Sequence, residues 1–390
     1  MDSILNFVFL KDTLEFNGEK RPMANGPLFY YVTNRGYSCT ISGKIRTGYK
    51  NLLLIESLGN KLDAVMDISD DIYDYVRNND VKLLFVSVAD PSDIITFHRG
   101  YSYIATKLPN DKYYIVDSNT YLSTISDIYT LDWFLEDGQC TPTNSVKNVN
   151  DLGYISEYIE LNELKSFRNK KFLCFNRNVD RHHRISLLHE YMINNYSDSY
   201  FTFLLKTEHY STPYLLDSTP YTKEEYNKLI PMELDTQNAE NKYSFRVTDT
   251  NKKELFLNSC INLVTESSFH NNELFISEKI IKPIINYQPF IVFASVGYLK
   301  RLKTHGFKTF SDIWDENYDT IEDSEQRFFT LLKLVREINS KSIEEVNDIY
   351  KKCLDICIFN KNHFYSQNKD TMSDILKDIS EKWDERDKLI

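Results

Sequence analysis

Glycine and proline are scarce, 11 and 10 in 390 residues, and no Gly-x-Gly-x-x-Gly, Gly-Lys-Ser/Thr or Gly-x-Ser-x-Gly stretch occurs. Dinucleotide oxidoreductases, P-loop NTPases and α/β-hydrolases thereby lose their usual signatures. Asp-x-Asp is missing too, so a divalent ion bridging a diphosphate has no obvious carboxylate pair. The six cysteines (Cys39, Cys140, Cys174, Cys260, Cys353, Cys357) are scattered, which excludes a disulfide framework and zinc half-sites and fits a reducing compartment. Cys353 and Cys357 stand at i, i+4 in a predicted helix and read as core thiols, so no metal is assigned. No run reaches the 18 or so apolar residues that a membrane span needs, and the start lacks a basic region before its short apolar run. The expectation is an intracellular, cytoplasmic protein with no membrane span. Cations do not exceed anions: Lys+Arg 46 against Asp+Glu 57 gives −11, which disfavours general adhesion to nucleic acid or anionic lipid. Any anion site must be local.

What is plentiful is apolar and aromatic surface: 42% hydrophobic residues, with 27 Tyr, 24 Phe and 3 Trp. That excludes disorder, and the length favours two domains with substantial cores. Residues 1–150 carry short continuous apolar runs such as Lys82 to Ala89 and Lys112 to Val116, the pattern of buried central strands. Gly138 to Asp151 has turn composition and reads as a linker, followed by an expected helix over Ile155 to Leu164. From Lys170 the pattern becomes strand, loop, helix, with further strands at Phe201 to Leu205, Ile261 to Thr265 and Phe290 to Phe293. Such alternation predicts a parallel sheet flanked by helices. The predicted division is 1–150, 151–345, and 346–390 as terminal helices packing back on the body.

Three stretches depart from the overall composition. Residues 165–184 hold Lys165, Arg168, Lys170, Lys171, Arg177, Arg181 and Arg184 against Asp180 alone, a net +6 in a chain of −11. Arg181, His182, His183 and Arg184 fall in the expected first turn of a helix, where the macrodipole favours anions. A phosphate held by helix-start N–H groups and guanidiniums would compensate them, and a loop after a strand is where open α/β sheets bind ligands. A solvated basic face is the bland alternative. The second stretch is Asn271 to Pro283, in which Ser277 reads as an N-cap that puts Glu278 and Lys279 in a first helical turn. There the carboxylate can accept from sugar hydroxyls while the ammonium beside it pairs with phosphate, although an ordinary capped helix has the same pattern. The third, Ser311 to Glu325, holds seven acids and no base and reads as a solvated turn and helix start.

At these residues the sequence resembles the donor-binding half of GT-B glycosyltransferases, most closely the α1,3-fucosyltransferase-like family. The resemblance rests on Phe175-Asn176 with Arg184, on Ile261 to Glu266, on Ser277-Glu278-Lys279 and on Gln288 to Val292, and covers roughly residues 170–310. Ser267 follows Glu266 where the family has Asn, and the N-terminal half matches no pattern. The resemblance implies an α/β fold of two Rossmann-like domains facing across a cleft, and transfer of a sugar from a nucleotide-sugar to a glycan or other acceptor hydroxyl. It places Arg184 and Lys279 on the pyrophosphate, with Arg181 one turn away as the rival, and Glu278 on ribose or sugar hydroxyls. Asn176, Arg177, Glu266 and Ser277 complete the expected donor site. Fixed cations would stand in for a metal, so an inverting reaction without cofactor is expected, with a base from Asp90, His98 or Asp117 near predicted strand ends. Tyr and Asn richness is also similar to glycosyltransferases of large DNA viruses and phages, implying the cytoplasm of an infected cell. Two other readings stay open: a non-catalytic nucleotide-sugar or virion-associated module, and a sugar transferase acting on modified nucleic-acid bases.

Overall fold

A computed structural model describes residues 5–9, 14–16, 19–21, 28, 31–32, 35–41, 43–56, 62–87, 92–124, 128–132, 159–205, 210–215, 221–230, 253–270, 273–366 and 371–387. The chain divides into two compact units. Unit 1 comprises 1–149, 272–275 and 368–390, and unit 2 comprises 150–271 and 276–367. Both are α/β units built on parallel sheets. The expected linker at 138–151 and most of the expected helix at 155–164 lie outside the described residues, apart from a 3-10 turn at Leu161–Glu163.

The strands of unit 1 are β1 (Leu5–Phe9), β2 (Leu14–Phe16), β3 (Glu19–Arg21), β4 (Ser38–Ile41), β5 (Lys50–Glu56), β6 (Lys82–Ser87), β7 (Tyr113–Asp117) and β8 (Ile128–Thr130). Six of them form one sheet in the order β4-β1-β5-β6-β7-β8, parallel throughout, while β2 and β3 make a separate antiparallel pair. The strands are continuous apolar runs because both faces are covered, and successive side chains serve opposite cores. On one face Phe7, Leu52, Leu54, Leu84 and Val86 pack against Met372, Ile375, Leu376, Ile379 and Trp383. On the other Val8, Leu53, Leu83 and Phe85 meet α1 (Asp70–Asn78) and α2 (Ile94–Lys107) through Tyr73, Val76, Phe97 and Ile104. Asp93 starts α2 by accepting from the Thr96 N–H at 2.8 Å, satisfying one orphan donor of the first turn.

In unit 2 the strands β9 (Lys170–Asn178), β10 (Tyr200–Leu205), β11 (Ser259–Thr265) and β12 (Phe290–Phe293) are ordered β10-β9-β11-β12, again parallel. Helix α3 (His182–Ile193) connects β9 to β10. The chain then passes α4 (Lys223–Leu229) and α5 (Lys253–Asn258) to reach β11 on the other side of β9. This reversal puts a topological switch point between the C-terminal ends of β9 and β11. The unit continues through α6 (Ile281–Ile285), α7 (Tyr298–Thr304), α8 (Ser324–Asn339) and α9 (Ile343–Ser366). The last helix, α10 (Thr371–Asp387), belongs to unit 1. Among the described residues no helix is long and apolar enough to cross a membrane.

The acidic stretch 311–325 serves local structure. Asp319 accepts from the Leu299 and Lys300 N–H groups at 2.8 and 2.9 Å, and Asp323 caps α8 through the Gln326 N–H at 2.7 Å. Glu316 accepts from Phe310 N and Thr309 Oγ1 at 2.7 and 2.6 Å. Burial pushes the Asp319 carboxyl up to about 6 despite its two backbone donors.

Candidate functional site

Nine residues of strand span about 30 Å, and that length splits the basic stretch of the sequence in two. Lys165, Arg168, Lys170 and Lys171 lie at or before the start of β9, the end of the strand remote from the switch point. Their charges are spent locally. Lys165 pairs with Glu254 at 2.8 Å, Lys170 donates to Ser197 O and Lys171 to Asn339 O. Arg168 is fully buried, donating to the Ser259 and Phe256 carbonyls and to the Tyr350 hydroxyl, with its guanidinium 3.8 Å from the centre of the Tyr350 ring. Of that stretch only Arg177, Arg181 and Arg184 stand at the C-terminal end of β9, and the Arg177 side chain lies outside what the structure describes.

The two remaining arginines differ in kind. Arg184, 7% exposed, donates to Asn178 O (3.2 Å), Thr265 O (3.1 Å) and Glu266 O (3.0 Å). It is a tie across the switch point, joining the last carbonyls of β9 to those of β11. Burial first, then the neighbouring Arg181, pushes its pKa down to about 10, so it stays charged at neutral pH. Arg181 occupies the N-cap of α3 without a side-chain cap bond, and its side chain is 51% exposed, 3.9 Å from Asp180. Beside it His182 holds Thr212 O through Nδ1 at 2.6 Å and lies against the Tyr214 ring at 5.7 Å. His183 is buried, its Nε2 3.0 Å from Glu266 O. Burial and then Arg184 drive its pKa well below the ordinary value. A neutral ring facing a carbonyl must carry its proton on Nε2 and donate it.

Asn176 and Glu266 are interior residues. Asn176, 2% exposed, braces the sheet: its Oδ1 accepts from Thr265 Oγ1 at 2.7 Å and its N–H donates to Thr202 Oγ1 at 3.1 Å. Glu266 has no exposed surface, and its carboxylate accepts from Tyr298 Oη (2.6 Å), Ser277 Oγ (2.5 Å), Ser277 N (3.2 Å) and Ser267 N (3.3 Å).

The Ser277 expectation needs correction. Helix α6 starts at Ile281, and Ser277 to Ile280 form a turn before it. The Ser277 hydroxyl is committed to Glu266 and takes the Lys279 N–H at 3.3 Å, so it organises that turn in place of a helical first turn. Pro283 sits near the start of the short helix, where a missing N–H costs nothing. Lys279 Nζ lies 3.1 Å from Ser277 Oγ, 3.2 Å from Ser267 Oγ and 3.2 Å from Glu278 Oε1. Burial acts to raise the Glu278 carboxyl, but the Lys279 and Lys282 ammoniums outweigh it and hold it below the usual range. Lys282, which the sequence reading did not single out, is pushed down to about 8 by burial, with Glu278 opposing and Lys279 reinforcing the fall. Its Nζ lies 5.5 Å from the centre of the Phe175 ring of β9. The signal for it was present in the same Ser-Glu-Lys-Ile-Ile-Lys segment; for Tyr298, 32 residues downstream of Glu266, there was none.

In unit 1 Asp90 lies outside the described residues. His98 is exposed on α2, edge-on to Phe97. Asp117 is fully buried at the end of β7, with Oδ1 accepting from Asn119 N at 2.7 Å and Ser92 N at 3.3 Å. The switch point of this sheet falls between β1 and β5, where Glu56 ends β5 and receives the Leu28 N–H at 3.0 Å. Among the described residues no group of three or more His, Cys, Asp or Glu side chains could hold a metal ion.

No protein-family model and no curated protein matches the sequence. Among solved structures, an alpha-glucosyltransferase in complex with UDP and a 13-mer DNA containing a central A:G mismatch aligns with 97% of this chain and 100% of its own, at 10% identity and a TM-score of 0.42. An alpha1,3-fucosyltransferase aligns over 90% of each chain at 14% identity and a TM-score of 0.36, and its GDP complex at 9% and 0.36. Likeness at this level assigns the chain to no family.

Proposed function

We propose that the protein is a glycosyltransferase that takes a nucleotide-sugar in unit 2 and transfers its sugar to an acceptor hydroxyl. The observation that carries the reading is the switch point between β9 and β11, where ligands of open α/β sheets gather. The N-terminus of α3 opens there, and Arg181, Lys279 and Lys282 supply cations, with Asp180 beside Arg181 and Glu278 beside the two lysines. Helix-start N–H groups and two or three cations suit a diphosphate, whose charge grows as the sugar departs. In this reading Arg181, the exposed arginine, binds the pyrophosphate together with Lys279. Arg184, held beneath, keeps the two strand ends together. Glu278 accepts hydrogen bonds from ribose or sugar hydroxyls, and the His182 and Tyr214 rings offer a flat surface to the base.

The cations take the place of a divalent ion, so the transfer is proposed to be metal-independent. Direct inversion then needs a base that lifts the acceptor proton as the hydroxyl attacks the anomeric carbon. Of the described candidates in unit 1, His98 is open to solvent and Asp117 is sealed. The acceptor is proposed to be a glycan or another hydroxyl-bearing molecule.

Calorimetric titration with UDP, GDP and their sugars in the presence of chelator tests this reading. Binding of one nucleoside diphosphate, with slow hydrolysis of the matching nucleotide-sugar, is expected. Binding that disappears in chelator and returns with manganese would refute metal independence. Binding without hydrolysis or transfer would turn the reading to a recognition module.

A further inference from the structure

We infer that Tyr298 and Glu266 are positioning residues that set the orientation of the Lys279 ammonium through the Ser277 hydroxyl; the inference rests on the donor-site reading above. The four groups form a chain whose proton directions are fixed by what each can do. The Glu266 carboxylate can only accept. Ser277 therefore gives its single hydroxyl proton to Oε2 at 2.5 Å, and Tyr298 gives its own to Oε1 at 2.6 Å. With that proton spent, the Ser277 oxygen has only lone pairs left, and it turns them to Lys279: the backbone N–H at 3.3 Å and Nζ at 3.1 Å. An ammonium has three donors. Ser277, Ser267 Oγ at 3.2 Å and Glu278 Oε1 at 3.2 Å accept from it within the unit, so it faces a diphosphate as a held point charge. All three acceptors lie on segments that touch Glu266 or adjoin a residue that does: Ser267 gives it its N–H, and Glu278 follows Ser277.

Burial makes the arrangement stiff. Glu266 has no exposed surface, and Ser277 and Tyr298 are each 1% exposed, so water cannot replace a lost partner. The same residue reaches the other half of the site through its backbone, since Glu266 O accepts from Arg184 and His183. Each carboxylate oxygen also faces one backbone N–H, Ser277 N at Oε1 and Ser267 N at Oε2. An amide at this position would set its NH2 against an N–H in either flip, which only a carboxylate avoids. This accounts for an acid sealed beneath a site that needs positive charge: it organises the cation and never meets the ligand.

The test is a double-mutant cycle on the full chain, with inorganic pyrophosphate as the probe and calorimetry as the readout. Tyr298→Phe keeps the ring and removes one donor to Glu266. It is expected to weaken pyrophosphate binding about 5- to 20-fold, the coupling typical of side chains in one hydrogen-bond network. In the Lys279→Ala background the same change is expected to have no effect, because the residue acts only through that ammonium. A structural role alone would give equal losses in both backgrounds, and that result overturns the inference. So does a silent Tyr298→Phe when Lys279→Ala weakens binding. If Lys279→Ala is itself silent, the donor-site reading fails and takes the inference with it. Should Tyr298→Phe unfold, Ser277→Ala enters the same cycle with Ser277→Thr as the hydroxyl-restoring control; loss with alanine and recovery with threonine supports the chain, and equal behaviour of the two overturns it.

Discussion

Replacing Arg184 by methionine separates a residue that ties two strand ends together from one that is proposed to bind the diphosphate. Its guanidinium is 7% exposed and bonded to the Asn178, Thr265 and Glu266 carbonyls at 3.0 to 3.2 Å. A hydrogen bond from a charged group contributes about 1.5–3 kcal/mol, and a buried acceptor left alone costs about 1–3 kcal/mol. Glu266 O keeps His183 as a donor and Asn178 is exposed to water, so the cost of an unpaired acceptor concentrates on Thr265 O. Against this, methionine fills much of the volume and removes a cation that burial disfavours, as the fall of the pKa to about 10 shows. The balance is a destabilisation of about 2–4 kcal/mol, which in a domain of about 200 residues lowers the melting temperature by roughly 5–15 °C.

Arg181→Ala should do the opposite. The side chain is 51% exposed and its ion-pair partner, Asp180, is 3.9 Å away, so stability should change by no more than about 0.5 kcal/mol. Pyrophosphate affinity should fall about tenfold with the loss of one charge-assisted contact. Differential scanning calorimetry gives the first quantity for each variant and titration calorimetry the second. An Arg184→Met protein that melts like the parent and fails to bind pyrophosphate would refute the assignment of the two roles.

Much of the fold was legible because it follows from local pattern. Continuous apolar runs at 82–87, 113–117, 259–265 and 290–293 have too few polar positions for a half-exposed strand, and alternation with helices leaves a parallel sheet as the natural solution. The basic stretch was legible as a charge anomaly but not as two separate features. The apolar run after Lys170 is legible as a strand, but a count of charges along the sequence does not register that this strand, nine residues long, carries the first four cations to the far end. The roles of Arg184, Asn176 and Glu266 were hidden for a related reason. Polar residues at a strand end read as ligand contacts, yet a parallel sheet whose strands end side by side also needs internal ties, and the same residue types make both. Ser277 misled because a serine before Glu-Lys is a capping pattern, and only the fold brings in Glu266 to claim its hydroxyl.

Three further outcomes follow from the geometry. With Lys282 near 8, pyrophosphate affinity should fall as pH rises through that value, and Lys282→Met should flatten the profile. The unfolded lysine titrates near 10.4, so the unfolded chain holds more protons between the two values and this residue alone makes stability rise with pH across that window. Deleting residues 371–390 removes Met372, Ile375, Leu376, Ile379 and Trp383 from one core of unit 1. At about 1.5–3 kcal/mol each, the loss of about 7–15 kcal/mol matches a whole domain's stability. Limited proteolysis should then degrade unit 1; an unchanged melting profile would contradict its dependence on α10. The last outcome concerns Glu278, which Lys279 and Lys282 keep ionised beside the proposed diphosphate. At pH 6.5, below the value near 8 of Lys282, Glu278→Gln removes a repulsion and should tighten pyrophosphate binding about two- to fivefold. The nucleotide-sugar gains the same relief but loses an acceptor for its hydroxyls, so its affinity should stay level or fall. Equal tightening of both ligands would reduce Glu278 to a turn acid that tunes the charge of Lys282, and would remove it from sugar recognition.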